Sequence, residues 1–169
     1  MTKVAPSDNE LALLAVRVGA SLLERQWKVA TAESCTGGYV SKLLTDVPGS
    51  SGWFDCGYVT YSNESKQRML GVAEETLLQF GAVSDRTVVE MAVGALEASA
   101  VQRSVAISGV AGPDGGTPKH PVGDVWFARA QRRAGGAVDA LTLHRRFAGD
   151  RDEVRRQAAA FALELLIED

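Results

Sequence analysis

Apolar residues recur along the chain at helical spacing in several separate stretches. Ser7 and Glu10 have the spacing of a capping box, and the apolar residues after them repeat every three or four positions. This pattern predicts a first helix that ends near Gln26. Similar patterns predict further helices over 38–45, from 62 or 63 to 70, over 73–80, after Ser84 and after Asp150.

Short runs rich in β-branched, aromatic and small apolar residues predict strands between these helices. They cover 28–32, 54–61, 105–108, 122–130 and 138–147. Because strands and helices interleave, the pattern favours an α/β fold, a single layered domain over 1–169 with a β-sheet flanked by helices. The last two strands are joined by a short connection through Gly135 and Gly136. We therefore expect them to be antiparallel and the sheet to be mixed.

Composition narrows the class of protein. The chain has 169 residues, 46% of them hydrophobic, which suits one domain with a buried core. Its formal net charge of −3 gives no electrostatic reason to expect nucleic acid as a partner. No apolar run reaches the roughly 20 residues that would cross a membrane, so no membrane association is expected. A homo-oligomer is possible, as for many enzymes of this size.

Residue types also predict the cellular compartment and the absence of a metal site. The first ten residues lack the basic and apolar regions of a secretion signal, which favours a cytoplasmic location. We expect Cys35 and Cys56 to remain reduced thiols there. The ligand spacing of a structural zinc site is absent from the sequence, and no metal is expected.

Potentially reactive side chains concentrate in four polar or glycine-rich segments, at 31–38, 48–51, 61–66 and 108–116. Each lies at the end of a predicted strand or in a turn. Ligands of α/β proteins collect at the carboxyl ends of strands, in clefts that such turns form. These segments are therefore the candidates for a functional site.

Ser34 follows a predicted strand and precedes two glycines that open a helix. Backbone N–H groups of Thr36, Gly37 and Gly38 can hold an oxyanion at such a position, with Ser34 as the nucleophile. The alternative is that Ser34 or Thr36 only caps the helix, and the spacing alone leaves both interpretations open. Cys35 is a rival nucleophile, but a buried, inert thiol is the simpler interpretation.

A serine nucleophile needs a base, and Lys66 has a physical argument in its favour. It lies in or just after the first turn of a predicted helix, where the helix field and burial would both favour the neutral amine. Tyr61, at the end of the preceding strand, can steady the proton. Alternatively, Lys66 is an exposed helical lysine and Tyr61 packs at the sheet edge. A histidine base is not favoured by the sequence. His120 lies in a polar loop and His144 lies in a predicted strand.

Glycines also cluster after Ser108, at Gly109, Gly112, Gly115 and Gly116. This density is typical of backbone that lies against a ligand, or of a wide surface loop. This segment lacks the ending of a P-loop, and the turn at 36–38 does not match the dinucleotide-binding fingerprint.

Seven segments occur in an order and register that resemble the CinA C-terminal family. They are AESCTGG (32–38), PGSS (48–51), YVTYSNESK (58–66), GAVS (81–84), ISGVAGPDGG (107–116), PVG (121–123) and GDR (149–151). They cover nearly the whole chain from Val29 to the last predicted helix. The chain resembles the stand-alone form of this family.

The resemblance implies hydrolysis of the carboxamide of nicotinamide mononucleotide, giving nicotinate mononucleotide and ammonia, in pyridine-nucleotide recycling. It implies no metal or other cofactor, a nucleophilic Ser34, a general base Lys66 and an auxiliary Tyr61. Ser51 and Ser108 match site segments of the family and are alternative hydroxyls or substrate contacts. The remaining substrate-binding candidates are Thr36, Gly37, Gly38, Gly109 and, for the phosphate, Arg151.

Two other classes of function stay open. The domain can bind a nucleotide or a partner without turnover, as happens when a fold is kept and its site is altered. Alternatively, five arginines form a nucleic-acid face, which the acidic net charge argues against. These are Arg145, Arg146, Arg151, Arg155 and Arg156.

Overall fold

A five-stranded sheet organises the chain in the computed structural model, which describes residues 4–169. The strands lie in the order β2-β1-β3-β4-β5, with β1 parallel to β2 and β3, and β4 antiparallel to β3 and β5. The predicted mixed sheet and its antiparallel last pair are confirmed. The strands are β1 (Val29–Glu33), β2 (Phe54–Val59), β3 (Arg103–Gly109), β4 (Asp124–Arg132) and β5 (Val138–Arg146).

Helices cover both faces of the sheet. Those of the first face are α1 (Asp8–Arg25), α2 (Tyr39–Thr45) and α6 (Arg151–Ile167). Those of the second face are α3 (Asn63–Leu70), α4 (Glu74–Phe80) and α5 (Asp85–Ala98). Ser7, Ser84 and Asp150 cap α1, α5 and α6 as predicted, because each side chain accepts a backbone N–H of the first turn.

Buried side chains form one apolar cluster on each face of the sheet. Along β1, Val29 belongs to the first cluster, whereas Ala30 and Ala32 belong to the second. All of β1 is buried because it lies between β2 and β3 and has helices on both sides. Successive side chains of β1 therefore point to opposite faces of the sheet.

One boundary difference, at the end of β2, affects the candidate site. The predicted strand 54–61 ends at Val59, because Ser62 caps α3 and the chain must leave the sheet before it. The Ser62 hydroxyl accepts the Ser65 amide, and the Ser65 hydroxyl accepts the Ser62 amide. As a result, the carbonyl groups of Thr60 and Tyr61 are free of the strand ladder and available to a side chain of α3.

None of the helices within residues 4–169 combines the length and the apolarity needed to cross a lipid bilayer.

Candidate active site

The carboxyl ends of the parallel strands bring Ser34 and Lys66 together. Ser34 follows the last residue of β1, and its amide donates to the Ile107 carbonyl of β3 at 3.0 Å. Lys66 lies on α3, directly after the end of β2. Because β1 and β2 are parallel neighbours, the segments that follow them meet at one edge of the sheet. The Nζ atom of Lys66 lies 3.1 Å from the Ser34 Oγ.

Lys66 is a buried lysine with backbone carbonyls around its amine. Its side chain is 1% exposed, and Nζ lies 2.7 Å from the Thr60 carbonyl oxygen and 3.5 Å from that of Tyr61. Within residues 4–169 no carboxyl group forms an ion pair with it. Burial lowers the pKa of Lys66 from 10.5 to about 8. A substantial fraction of the amine is therefore neutral in mildly alkaline water.

The surroundings of Nζ match the hydrogen-bonding capacity of a neutral amine. Such an amine has two N–H donors and one lone pair. The carbonyl oxygens of Thr60 and Tyr61 can accept the two N–H groups, which leaves the lone pair for the Ser34 hydroxyl proton. The arrangement is chemically able to deprotonate Ser34 as it attacks an electrophile.

Cys35, the rival nucleophile, lies next to Ser34 and is buried. Burial raises the pKa of its thiol to about 12, so the side chain is a thiol rather than a thiolate at neutral pH. A thiol in this state is a poor nucleophile.

The turn after Ser34 differs in detail from the predicted oxyanion site. The Gly37 amide donates to the Ser34 carbonyl at 3.0 Å, so it is not available to a ligand. Gly37 and Gly38 have φ angles of 60° and 95°, which only glycine adopts readily. The amides of Cys35 and Thr36 donate to no other residue within residues 4–169. The Gly38 amide likewise donates to no other residue there, so the potential oxyanion donors are the amides of Cys35, Thr36 and Gly38, without that of Gly37.

The amino terminus of α2 is occupied by a carboxyl group that sequence reasoning did not assign. Glu33 is fully buried, and its two carboxyl oxygens accept the amides of Val40 at 2.9 Å and Ser41 at 3.0 Å. The Ser41 hydroxyl donates to the same carboxyl group at 2.8 Å. These contacts satisfy helix N–H groups that would otherwise attract an anion.

Two buried hydroxyl groups near the site have no hydrogen-bond partner among residues 4–169. They belong to Thr36, two residues after Ser34, and Thr60, whose carbonyl accepts from Lys66. Both residues are fully buried. A buried hydroxyl without a partner costs stability unless a bound molecule satisfies it.

Ser108 lies beside Ser34 on the neighbouring strand. Since Glu33 pairs with Ile107, the residues that follow each of them are adjacent, and Ser108 is buried. Gly109 has a different reason to be glycine than the predicted ligand contact. A Cβ atom there would lie 2.5 Å from the Asp124 carbonyl oxygen, because β4 approaches closely.

Ser51 is not brought to this site. It is exposed in a short 3-10 turn before β2, and Phe54, which begins β2, pairs with Val29, which begins β1. Ser34 follows the last residue of β1, roughly 15 Å farther along the strand direction. A parallel pair places these two serines at opposite edges of the sheet.

Tyr61 and Arg151 contact each other at the rim of the site. Tyr61 is 60% exposed, and its hydroxyl accepts from an Arg151 guanidinium nitrogen at 3.0 Å. Its carbonyl, rather than its hydroxyl, contacts Lys66. Arg151 also donates to the Gly112 carbonyl at 2.7 Å, so it connects α6 with the glycine-rich loop. A cavity of about 550 Å³ lies beside it, lined by Ala111, Pro113, Val122, Gly149, Asp150, Arg151 and Asp152.

Arg155 lies one helical turn after Arg151 and donates to the Thr36 carbonyl at 2.9 Å. Sequence reasoning considered it only within the nucleic-acid face, although its spacing from Arg151 placed both on one side of a helix. Other arginines of that set point elsewhere. Arg145 stacks over the Phe161 ring at 4.6 Å, and Arg156 pairs with Asp8 and Asp152.

Both histidines contact one buried carboxyl group instead of Ser34. The Asp124 oxygens lie 3.0 Å from His120 Nδ1 and 2.5 Å from His144 Nε2. Asp124 thereby ties the end of the glycine-rich loop to β5. Across residues 4–169, no group of three or more histidine, cysteine, aspartate and glutamate side chains is arranged to hold a metal ion. A larger cavity, of about 710 Å³, lies between α1 and α6 and contains none of the site residues.

Comparisons with known proteins identify relatives of this chain. A family model described as the CinA C-terminal domain matches residues 11–169. The nicotinamide-nucleotide amidohydrolase PncC of Escherichia coli K12 is 56% identical over 95% of this chain and 94% of its own. The enzyme of the same name from Enterobacter agglomerans is 50% identical over 96% and 97%.

The fold also matches a solved structure. The competence/damage inducible protein CihA of Agrobacterium tumefaciens superposes with a TM-score of 0.87 at 42% identity, over 98% of both chains.

Proposed function

The chain belongs to the CinA C-terminal domain family, and we propose that it hydrolyses the carboxamide of nicotinamide mononucleotide to nicotinate mononucleotide and ammonia. Its likeness to named nicotinamide-nucleotide amidohydrolases over nearly the whole length of both chains supports this substrate. The reaction fits the recycling of pyridine nucleotides. The observation that carries the proposal is the contact between the Lys66 amine and the Ser34 hydroxyl.

Acylation begins with the neutral amine of Lys66. The Ser34 oxygen attacks the carboxamide carbon while its proton passes to the Lys66 Nζ, 3.1 Å away. The former carbonyl oxygen gains negative charge, and we assign its stabilisation to the amides of Cys35 and Thr36, which donate to no other residue within residues 4–169. Such a donor typically contributes about 3 kcal/mol to the transition state. The Lys66 ammonium then protonates the leaving nitrogen, the carbon–nitrogen bond breaks, and ammonia departs.

Deacylation reverses these roles. A water molecule attacks the ester carbon and gives a proton to Lys66. The ester bond to Ser34 then breaks, and the proton returns from Lys66 to the Ser34 oxygen. The net reaction consumes one water and produces one carboxylic acid and one ammonia, and Ser34 and Lys66 end in their starting states.

The rim residues supply recognition of the rest of the substrate. Arg151 lies beside the rim cavity and retains N–H groups beyond those that contact Gly112 and Tyr61. A guanidinium with free donors suits the substrate phosphate. Tyr61 then acts on Arg151 through its hydroxyl and on Lys66 through its carbonyl. Ser108, buried on the strand next to Ser34, is a further hydroxyl that can contact the carboxamide.

The test is ammonia release from nicotinamide mononucleotide by the purified protein in a chelator. We expect Ser34→Ala to lower kcat by at least about 1000-fold, because the nucleophile is lost. Ser51→Ala is the matched comparison, a serine of a family segment at the opposite edge of the sheet. Its kcat is expected to stay within about twofold of the wild type, since surface substitutions have small effects.

Two results would contradict the proposal. Active Ser34→Ala with inactive Ser51→Ala would move the nucleophile to the other edge of the sheet. A folded wild-type protein that binds the mononucleotide but releases no ammonia would make the chain a binding module.

A further inference from the structure

The peptide group between Thr36 and Gly37 is held from both sides. Its carbonyl oxygen accepts from the Arg155 guanidinium at 2.9 Å and from the Tyr39 amide at 3.1 Å. Its N–H group donates to the Ser34 carbonyl at 3.0 Å. Because Ser34 takes part in this contact, the orientation of the peptide group is coupled to the position of the nucleophile.

This orientation decides what the neighbouring amides can do. With the Thr36 carbonyl turned toward α6, the amides of Cys35 and Thr36 are left without an acceptor in another residue within residues 4–169. Rotation of the Thr36–Gly37 peptide would remove the Gly37 contact with Ser34. Gly37 imposes little resistance to such a rotation, because glycine occupies both signs of φ readily. A contact from outside the turn therefore adds to the two backbone contacts that hold this orientation.

Arg155 is built to provide that contact. It is half-buried, and its guanidinium lies 5.8 Å from the centre of the Tyr39 ring. A Cβ atom on Gly37 would lie 3.6 Å from the same guanidinium nitrogen that reaches Thr36, so the arginine covers the outside of the turn. A charged donor to a carbonyl is stronger than a neutral one.

We propose that Arg155 is a positioning residue that holds the turn after Ser34 in the orientation that presents the Cys35 and Thr36 amides to the oxyanion. This inference rests on the proposed amidase function. It assigns to Arg155 an effect on the transition state, whereas Arg151, four residues earlier, faces the substrate phosphate. The two arginines of one helix face would then serve rate and recognition separately.

The experiment compares Arg155→Met and Arg155→Lys with Arg156→Met, a neighbouring arginine that pairs with Asp8 and Asp152 instead. Two substrates are used, nicotinamide mononucleotide and the corresponding nucleoside without phosphate. We expect Arg155→Met to lower kcat about 100-fold on both substrates, as for loss of an oxyanion donor, with KM within about threefold. Arg155→Lys should recover about tenfold, and Arg156→Met should match the wild type.

A different kinetic pattern would overturn the inference. A rise of KM for the mononucleotide alone, with kcat unchanged, would make Arg155 a phosphate ligand. Unchanged kinetics in Arg155→Met would remove it from the site. If circular dichroism shows that Arg155→Met is unfolded, Arg155→Lys and Arg155→Gln replace it in the test. Wild-type kcat in both of these variants would contradict a positioning role for Arg155.

A second readout separates this inference from the proposed substrate. A fluorophosphonate reacts with an activated serine and places an oxygen where the oxyanion would form. We expect Arg155→Met to slow labelling of Ser34 by about the same factor as kcat. Equal labelling of wild type and variant, including none in either, would overturn the inference. Absence of ammonia release from the mononucleotide alongside slowed labelling would instead count against the substrate.

Discussion

Lys66 and Arg103 are both long cationic side chains in the interior, but they lie at opposite ends of the central strands. Each is 1% exposed. Lys66 lies at the carboxyl edge of β1, and Arg103 is the first residue of β3, at the other edge. Burial lowers the pKa of both, that of Lys66 to about 8 and that of Arg103 to about 10.

The two buried cations differ in the groups that surround them. Arg103 donates to the carbonyls of Leu166 and Glu168, both at 2.8 Å, and to the Gln131 side chain at 2.5 Å. Its guanidinium also stacks 4.8 Å from the Trp27 ring. It stays charged at neutral pH and ties the end of α6 to the sheet. Lys66 contacts the carbonyls of Thr60 and Tyr61 and the Ser34 hydroxyl, and its amine, unlike a guanidinium, can release its proton. Equal burial thus produces a structural cation in one place and a candidate base in the other.

The largest expected effect comes from replacing each cation with methionine. Lys66→Met should lower kcat at least about 1000-fold, because no base remains. Its free energy of unfolding at pH 7 should be unchanged or raised by up to about 2 kcal/mol, since the cost of burying the amine disappears. Arg103→Met should lose about 3 kcal/mol of stability, because it leaves buried acceptors unpaired, while the folded fraction keeps its kcat. Ammonia release and urea unfolding measure both quantities.

Lys66→Arg sharpens this test, since it keeps a cation but removes a base that can titrate. It should be as inactive as Lys66→Met and less stable. An active Lys66→Arg, or an Arg103→Met with lost kcat and full stability, would break the distinction between the two sites.

The pH dependence should give the next largest effect. Because the pKa of Lys66 is about 8, kcat/KM should rise about tenfold per pH unit below that value and level off above it. The measurement is the initial rate of ammonia release from pH 6 to 9.5 at low substrate concentration. A rate that is independent of pH across this window would contradict a lysine base.

The lowered pKa of Lys66 also predicts how the stability of the protein depends on pH. Between pH 8 and 10.5 the unfolded chain keeps the Lys66 proton that the folded protein has released. The unfolded state therefore binds more protons, and the free energy of unfolding rises with pH in this window. From pH 7 to 9.5 the wild type should gain about 2 kcal/mol relative to Lys66→Met. Parallel curves for the two proteins would show that Lys66 is not a buried titrating amine.

The smallest expected effect concerns the buried hydroxyls of Thr36 and Thr31. In the described part of the chain Thr36 Oγ1 has no hydrogen-bond partner, whereas Thr31 Oγ1 lies 2.6 Å from the Ser41 hydroxyl. We expect Thr36→Val to raise the free energy of unfolding by about 1 kcal/mol, and Thr31→Val to lower it by a similar amount. Thermal unfolding distinguishes the two. If the Thr36 hydroxyl binds the substrate, KM should rise in Thr36→Val. Equal destabilisation by Thr36→Val and Thr31→Val would show that the Thr36 hydroxyl does have a hydrogen-bond partner in the folded protein.

Much of the fold followed from local patterns. The caps Ser7, Ser84 and Asp150 and the helical stripes behind them depend on residues within one or two turns, so the sequence predicts them directly. The end of β2 was less predictable, because the cap at Ser62 and the aromatic run before it favour different structures at Thr60 and Tyr61.

The candidate site was predictable in part. Ser34 and Lys66 belong to residue types and local positions that allow this chemistry, and the family resemblance selected them. Ser51 belonged to an equally similar segment, yet parallel pairing of β1 and β2 places it at the far edge of the sheet. The spacing of Arg155 from Arg151 indicated a shared helix face but not its contact with Thr36, because that contact joins residues far apart in the chain.

The sequence by itself determined the helices, most of the strands and the types of reactive side chain, since these depend on neighbours along the chain. The tertiary structure decided which of those side chains meet, and which buried cation is the candidate base. Sheet order and helix packing set the 3.1 Å contact between Ser34 and Lys66. Burial, which no local pattern specifies, lowers the pKa of Lys66 toward neutrality.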